Sequence, residues 1–206
     1  MELQIRDATP EDAEAAAPLV FSSGPDAFNF VFSHRTKMNA LEFLEKAFVR
    51  EGGEFGYRNH IVGTLDGKVV ASGAGFTGTE MPAFMLSDTR TIFGFYGFSQ
   101  GLRVIGRVLQ IEHIVPPPKS NIQYIGHIGV DPEFRSRGLG AQLVNHLIDV
   151  GREQGRTAAV LDVSCENPRA EALYARLGFT VTWEKESHYR NETSHVPSHR
   201  RMEIRY

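Results

Sequence analysis

The stretch Val130-Asp131-Pro132-Glu133-Phe134-Arg135-Ser136-Arg137-Gly138-Leu139-Gly140 joins a segment with the pattern of a strand to a segment with the pattern of a helix. The residues that lead into it, Tyr124 to Val130, form an apolar run typical of a strand, and the residues after it show helical apolar spacing. A glycine-rich turn before a helix directs backbone N–H groups outward, and the helix dipole adds partial positive charge there. The stretch therefore predicts a site that holds a phosphate group.

The composition of the chain is that of an ordinary globular protein. Its 206 residues, 41% hydrophobic and 23% charged, are enough for one core, so we expect residues 1–206 to form a single domain. A formal net charge of -3 gives no general attraction for nucleic acid or anionic lipid, so we expect neither nucleic acid nor a membrane as a partner. The single cysteine, Cys165, cannot form an internal disulfide, and residues 1–6 lack the apolar core of a signal peptide. We therefore expect a cytoplasmic protein.

The first half of the chain alternates between strand and helix patterns. Apolar spacing predicts strands at residues 3–8, 60–65 and 68–76, and helices from residue 10 to about 21 and from 39 to 50. Asp66-Gly67 lies between two of these strands and predicts a two-residue hairpin turn. The aromatic run that contains Phe28 and Phe32 fits a short helix or an extended loop, and we favour the helix.

Residues 77–119 are rich in aromatic residues and glycine and end at Pro116-Pro117-Pro118. We interpret this segment as one or two helices inserted between strands. The stretch from Phe76 to Phe98, with Met81 and Met85, could line an acceptor pocket or form a lid. Helix packing or a homodimer contact explains the same composition.

The second half predicts a crossover unit followed by closing strands. The pattern indicates strands at 121–130 and 158–163 around a helix at 138–154, then a helix from Asn167-Pro168 to 177 and strands at 180–185 and 202–206. A strand, a helix and a second strand in this order form a right-handed crossover with parallel strands. The expected fold class is α/β (α+β), with a central mixed, twisted sheet of about six to seven strands and helices on both faces.

Two motifs resemble one known family. The order Arg-x-x-Gly-x-Gly at Arg135–Gly140, after a strand ending Ile128-Gly129-Val130-Asp131-Pro132, resembles the coenzyme A signature of the GNAT superfamily of N-acyltransferases. Asn167-Pro168-Arg169-Ala170-Glu171-Ala172-Leu173-Tyr174-Ala175-Arg176-Leu177-Gly178-Phe179 is similar to the family's Asn…Ala…Leu-Tyr…Gly-Phe segment. The resemblance extends from about Tyr124 to Trp183, and residues 77–119 have no counterpart in the minimal family fold. It implies a GNAT-like fold with a helical insertion before the cofactor-binding strand.

The resemblance also implies a coenzyme A site. Gly138 and Gly140 lack Cβ atoms, so the backbone there can close around a pyrophosphate. In the family, the pantetheine arm bonds the strand backbone as an additional strand would. Asn167 fits a cofactor contact and a helix N-cap equally well. The residues implied in binding coenzyme A are Ile128, Val130, Arg135, Ser136, Arg137, Gly138, Leu139, Gly140 and Asn167.

Acylation of an amine by a thioester requires a neutral amine and a proton for the departing thiolate. Tyr174 resembles the family tyrosine that protonates the leaving sulfur. Because Tyr174 shares a helix face with Ala170, Leu173 and Leu177, it could instead be a core aromatic residue.

The proton acceptor is harder to identify because this chain has His127 near the place where many relatives carry a carboxylate. A histidine side chain has an unperturbed pKa of about 6.5, which suits proton transfer at neutral pH. A strand histidine that faces solvent or is satisfied in the core is an equal alternative. Tyr124 and Glu112 are weaker candidates, and ordered water could replace a single base.

The resemblance thus implies an acyl-CoA-dependent N-acetyltransferase that transfers an acetyl group from acetyl-CoA to a primary amine in a ternary complex. The acceptor is a small-molecule or peptide amine, and no acidic groove is evident in the sequence. A non-catalytic acyl-CoA-binding sensor with the same fold is the alternative. We expect no metal site, because His188, His195 and His199 lie in a polar segment without close ligand spacing.

Overall fold

The computed structural model describes residues 3–34 and 39–206. Its centre is a seven-stranded sheet with the order β1-β2-β3-β4-β5-β7-β6. The strands are β1 Gln4–Asp7, β2 His60–Leu65, β3 Lys68–Phe76, β4 Ile122–Val130, β5 Ala158–Ser164, β6 Thr180–Lys185 and β7 His199–Arg205. The helices are α1 Ala13–Ser22, α2 Pro25–Phe32, α3 Ala40–Phe48, α4 Met81–Ile114, α5 Leu139–Glu153 and α6 Pro168–Arg176.

The sheet is mixed, as the sequence predicts. Strands β4 and β5, joined by α5, are parallel, and the other neighbouring strands are antiparallel. Asp66 and Gly67 both have positive φ, 51° and 79°, as the predicted two-residue turn between β2 and β3 requires. The predicted mixed fold of six to seven strands is confirmed.

Helices cover both faces of the sheet, and each face has its own cluster of buried residues. On one face, residues of α1, α2, α3 and α4 pack around Phe43 and Val62. On the other face, α5 packs on β3 and β4 through Leu143 and Leu147. The predicted helix through Phe28 and Phe32 is present as α2. The prediction that residues 1–206 form one domain stays a prediction.

The inserted segment is helical, with one interruption. Helix α4 runs from Met81 to Ile114, but Gly97 inside it has φ 71° and ψ 178°, so two helical stretches meet there. This agrees with the prediction of one or two helices.

The last strand begins earlier than predicted. Strand β7 starts at His199 rather than Met202, because its whole length pairs with β5. Basic residues at the start of β7 make this part of the strand hard to recognise in the sequence. Arg200 bonds to Glu171 and Glu184, so its charge is satisfied on the sheet.

Among the helices that the structure describes, none has the length and apolar character needed to span a membrane.

Glycine at position 129 allows α1 to lie close to β4. A Cβ built there would lie 2.1 Å from the backbone oxygen of Leu19, far inside a normal contact. Gly129→Ala should therefore destabilise the fold by roughly 1–3 kcal/mol, the usual cost of overpacking a core. Gly94→Ala is the matched control, because Gly94 is exposed in α4 and an added Cβ meets nothing within 4 Å. Denaturant titration should show that Gly94→Ala is neutral or stabilising, and equal midpoints for the two variants would contradict this account.

Candidate active site

A cleft of about 870 Å³ lies at the ends of β4 and β5, and helices from both faces of the sheet line it. Part of the aromatic segment lines it, through Phe76, Phe84 and Met85. Phe98, by contrast, is 76% exposed, and Phe95 packs against the core. The predicted pocket-lining role therefore fits the first part of this stretch only.

The cleft exists because β4 and β5 separate. Their pairing covers three residue pairs, from Ile122–Ala158 to Tyr124–Val160, although β4 continues to Val130 and β5 to Ser164. Beyond Tyr124, the side of β4 that would face a parallel neighbour lines the cleft instead. Such an edge can accept an extended ligand through backbone hydrogen bonds.

A β-bulge lies where the two strands separate. On β4, Gly126 pairs with Ala74 and Gly129 with Ser72, so His127 and Ile128 together oppose one residue of β3. His127 has φ 55°, which is uncommon for any residue other than glycine. A bulge redirects a side chain, and here the His127 side chain reaches the cleft.

The imidazole of His127 has partners on both nitrogens. Its Nδ1 lies 3.2 Å from Nε2 of His60, and its Nε2 lies 3.4 Å from Oε1 of Glu54. The ring stacks on Phe55, with centroids 5.2 Å apart. The His127 side chain is 10% exposed. The ring is nearly buried, has a neighbour at each nitrogen and lines the cleft, so it fits both the predicted proton acceptor and a histidine satisfied in the core.

The predicted phosphate turn has the geometry of an anion site. Gly138 is the N-cap of α5, has φ 81°, and offers no side chain to occupy the first-turn N–H groups. Helix α6 differs, since Asn167 caps it by accepting a hydrogen bond from the N–H of Ala170 at 3.1 Å. Ser136 also has positive φ, at 64°. The turn can therefore direct backbone N–H groups toward a ligand.

Arginine side chains support this turn. Arg135 donates through Nε to the carbonyl of Val130 at 2.9 Å, and Arg169 donates to Oγ of Ser136 at 2.6 Å. Arg137 lies over the ring of Phe134, 5.3 Å from its centroid. The other residues implied in coenzyme A binding line the cleft: Ile128, Val130, Arg135, Ser136, Gly138, Leu139, Gly140 and Asn167.

Tyr174 has contacts that fit each of the two roles that the sequence left open. Its ring packs edge to face on Phe179, with centroids 6.1 Å apart, and its side chain also lines the cleft. Burial raises the pKa of Tyr174 to about 12. The phenol is therefore protonated at neutral pH and can serve as a proton donor.

A second tyrosine belongs to a charged network that the sequence does not reveal. The hydroxyl of Tyr124 donates to Oδ2 of Asp162 at 3.1 Å, and Arg201 bonds to both carboxylate oxygens of Asp162. Burial and the nearby Asp162 carboxylate raise the pKa of Tyr124 well above its usual value. The Tyr124 hydroxyl thus makes a structural hydrogen bond with Asp162. Of the weaker base candidates, Glu112 also lines the cleft.

Acidic side chains are more numerous in the cleft than the sequence suggested. The acids that line it are Asp26, Glu54, Asp88, Glu112, Asp162 and Glu166. They come from widely separated parts of the chain, which is why no acidic groove is evident in the sequence. Burial raises the pKa of Asp88 to about 7, and its carboxylate accepts the backbone N–H of Glu54 at 2.9 Å.

His195 lies closer to other possible metal-ligand groups than the sequence of its polar segment predicted. Its Nε2 lies 3.2 Å from Oε1 of Glu166, and ligand atoms of Asp26, Glu166 and His195 lie within 4.8 Å of one another. These residues are partly or largely exposed. The contact between His195 and Glu166 is an exposed hydrogen bond, and we assign no ligand to the group.

The cleft, the separated parallel strands and the uncapped glycine turn form a site whose shape suits an extended, phosphate-bearing ligand. The model of the acetyltransferase (GNAT) family matches residues 31–179. The chain belongs to this family.

Individual relatives match over shorter segments. An uncharacterized N-acetyltransferase of Methanocaldococcus jannaschii is 43% identical over 61 residues, which are 30% of this chain and 27% of the relative. The ribosomal protein bS18 alanine N-acetyltransferase of Salmonella typhimurium is 39% identical over 69 residues, 34% of this chain and 47% of that protein. The matches thus span less than half the length of these curated relatives.

Similarity to a solved structure covers nearly the whole chain. An N-acetyltransferase from Staphylococcus aureus Mu50 superimposes with a TM-score of 0.69 at 19% identity, covering 98% of this chain and 100% of that one. This similarity confirms the fold.

The buried His60 makes stability depend on pH. Burial, followed by the neighbouring His127, lowers the pKa of His60 from 6.5 to about 3, so the native state excludes a proton that the unfolded chain binds. The stability that this neutral histidine contributes is complete above pH 6.5 and is lost as the pH falls toward 3. As the pH falls from about 6 to 4, the free energy of unfolding should decrease by roughly 1–3 kcal/mol more in the wild type than in His60→Gln.

His188→Gln is the control, because His188 is exposed. Urea titrations across this range should show the reduced slope in His60→Gln only. Parallel pH profiles for the wild type and His60→Gln would contradict the assignment of a neutral His60.

Proposed function

We propose that the protein is an N-acetyltransferase that moves an acetyl group from acetyl-CoA to a primary amine by direct attack in a ternary complex. The observation that carries the proposal is one continuous cleft. It joins the uncapped turn at Gly138 to the separated strands and reaches both His127 and Tyr174. Family membership supports the same reaction type.

The chain has groups suited to binding the acyl donor, acetyl-CoA. The N–H groups of the turn and the first turn of α5 would hold the pyrophosphate, and Arg135 and Arg169 supply positive charge beside it. The backbone of Ile128 and Val130 would bond the pantetheine arm as an additional strand. The amide of Asn167 has a donor group left for the cofactor after its oxygen caps α6.

A balanced transfer consists of three events. The amine loses a proton, its lone pair forms a C–N bond to the thioester carbonyl carbon, and the C–S bond breaks with its electron pair on sulfur. His127 would accept the proton from the incoming amine, and Tyr174 would donate one to the thiolate. A second proton leaves the nitrogen as the amide forms, which restores the tyrosine.

Features of the cleft support an amine acceptor with an apolar side chain. Phe28, Phe76 and Phe84 line it beside the acidic residues. A cationic amine is attracted by carboxylates, and its apolar part is favoured against aromatic surface. A small-molecule amine and a peptide amine both fit this description.

A substitution in the turn tests the coenzyme A site. Gly138→Val should lower the affinity for coenzyme A at least tenfold, because a β-branched residue is strained at φ 81° and the N–H groups would shift as the backbone relaxes. Gly155→Val is the matched control, since Gly155 also has positive φ, 71°, and an added Cβ meets nothing within 4 Å at either position. Calorimetry should show the loss in Gly138→Val alone. An equal loss in both variants would mean that general destabilisation, rather than the turn, causes it.

A substitution at Tyr174 separates an enzyme from a sensor. Tyr174→Phe keeps the ring against Phe179 but removes the proton, so kcat should fall roughly 10²–10⁴-fold. Affinity for coenzyme A should change less than about twofold, because the backbone that holds the cofactor is untouched. Thiol release from acetyl-CoA with a panel of amines provides the rate. If the wild type binds coenzyme A and releases no thiol with any amine, the protein is a sensor.

A further inference from the structure

The residues around His127 define the direction of each hydrogen bond in a chain of three groups. Nδ1 of His60 lies 3.0 Å from the carbonyl oxygen of Gly56, and a carbonyl only accepts, so this nitrogen carries the proton. Burial holds the pKa of His60 at about 3, so the ring is neutral and has no second proton. Nε2 of His60 is therefore an acceptor.

This acceptor determines the tautomer of His127. Because Nε2 of His60 accepts, Nδ1 of His127 must donate across the 3.2 Å contact. In a neutral His127 ring the lone pair then lies on Nε2, which lines up with Oε1 of Glu54 at 3.4 Å. With His127 neutral, two acceptors thus face each other in the cleft, and an N–H group beside them would satisfy both.

Neighbouring groups hold the His127 ring and the backbone of Glu54. The ring centroids of His60 and Phe55 lie 5.3 and 5.2 Å from that of His127. The backbone N–H of Glu54 donates to Asp88. A ring and a backbone held in this way favour a defined position for the ligand.

Aromatic surface surrounds the two acceptors. Phe28 and Phe55 pack edge to face at 5.9 Å, and both line the cleft. Ring faces attract a cation and cover the apolar part of an amine. Carboxylate, imidazole and rings together suit a primary ammonium group on an apolar carbon chain.

We infer that Glu54 and Nε2 of His127 form the subsite that binds the acceptor as its ammonium ion, and that His60 is a positioning residue that holds His127 in the tautomer able to take its proton. The inference rests on the proposed function. In the proton transfer, one N–H bond of the ammonium breaks, its electron pair stays on the amine nitrogen, and the proton bonds to Nε2. Glu54 stabilises the imidazolium that results.

Binding measurements test Glu54 without turnover. The probes are 2-phenylethylamine and its uncharged counterpart 2-phenylethanol, titrated by calorimetry into the protein saturated with coenzyme A. The wild type should bind the amine at least tenfold tighter than the alcohol, and Glu54→Gln should remove most of that preference. Glu51→Gln, at an exposed carboxylate that pairs with Arg58 outside the cleft, should retain it. Equal or absent binding of the amine in the wild type overturns the subsite.

Kinetics test His60. His60→Phe removes the acceptor from His127, so kcat/KM for the amine should fall roughly tenfold while KM for acetyl-CoA is unchanged. His60→Gln should restore much of the rate, because an amide can donate to Gly56 and accept from His127. Equal rates for the two variants overturn the positioning role.

The pH profile separates the contributions of the neighbouring charges. The groups that face His127 are His60 and Glu54, with Asp88 and Tyr124 near Glu54. Glu54→Gln removes the carboxylate that favours the imidazolium, so the acid limb of kcat/KM should move to lower pH. An unmoved limb contradicts the pairing. The two proposals can fail separately. If coenzyme A binds and no amine releases thiol, the proposed function fails. The preference for amine over alcohol is a binding measurement and still tests the subsite.

Discussion

The separation of β4 from β5 after Tyr124–Val160 is the constraint on which the rest of the site depends. Each strand keeps its other neighbour, since β4 remains paired with β3 and β5 with β7 over all seven of its residues. The sheet therefore stays intact although two adjacent strands open. Backbone groups on the opened edge of β4 need partners, and an extended ligand can supply them. The same opening gives the cleft its depth between the two layers of helices.

The bulge on β4 places a histidine side chain in this opening. With a regular register, residues 127 and 128 would continue the alternation of the strand. The extra residue instead directs His127 into the cleft at a positive φ of 55°. A glycine on β3 makes room for the bulge, because a Cβ at Gly73 would lie 2.6 Å from Cδ1 of Ile128. A strained histidine at a strand opening is a conformation that the surrounding packing must hold in place.

Signals that are local in the sequence predicted the cofactor half of the protein. The strand, turn and helix around residues 124–154 are contiguous, so apolar periodicity and glycine positions were sufficient there. Asn167 could likewise be identified as an N-cap from its position before Pro168, and the structure shows that bond. The start of β7 was missed because Arg200 and Arg201 look solvent-exposed in sequence. Their acidic partners, Glu171, Glu184 and Asp162, are remote along the chain.

The acceptor half was predicted only at His127, because its parts meet only in the folded chain. Glu54 and His127 come from different elements, and the bulge that brings them together leaves no mark in a pattern of alternating residues. The acids of the cleft are similarly dispersed, which is why a net charge of -3 gave no hint of a cation site.

Local charge decides what the cleft can hold, because fields between exposed charges fade over about 8–10 Å at ordinary salt. Arg135 and Arg169 lie at the turn, where an anionic cofactor fits, and Glu54 lies at His127. A cleft arranged in this way attracts a cationic amine but also stabilises its protonated, unreactive form. A base beside the carboxylate resolves that conflict, since it removes the proton where the carboxylate binds the cation. The proposed pairing of Glu54 with a histidine of fixed tautomer thus meets both needs of an acidic acceptor site.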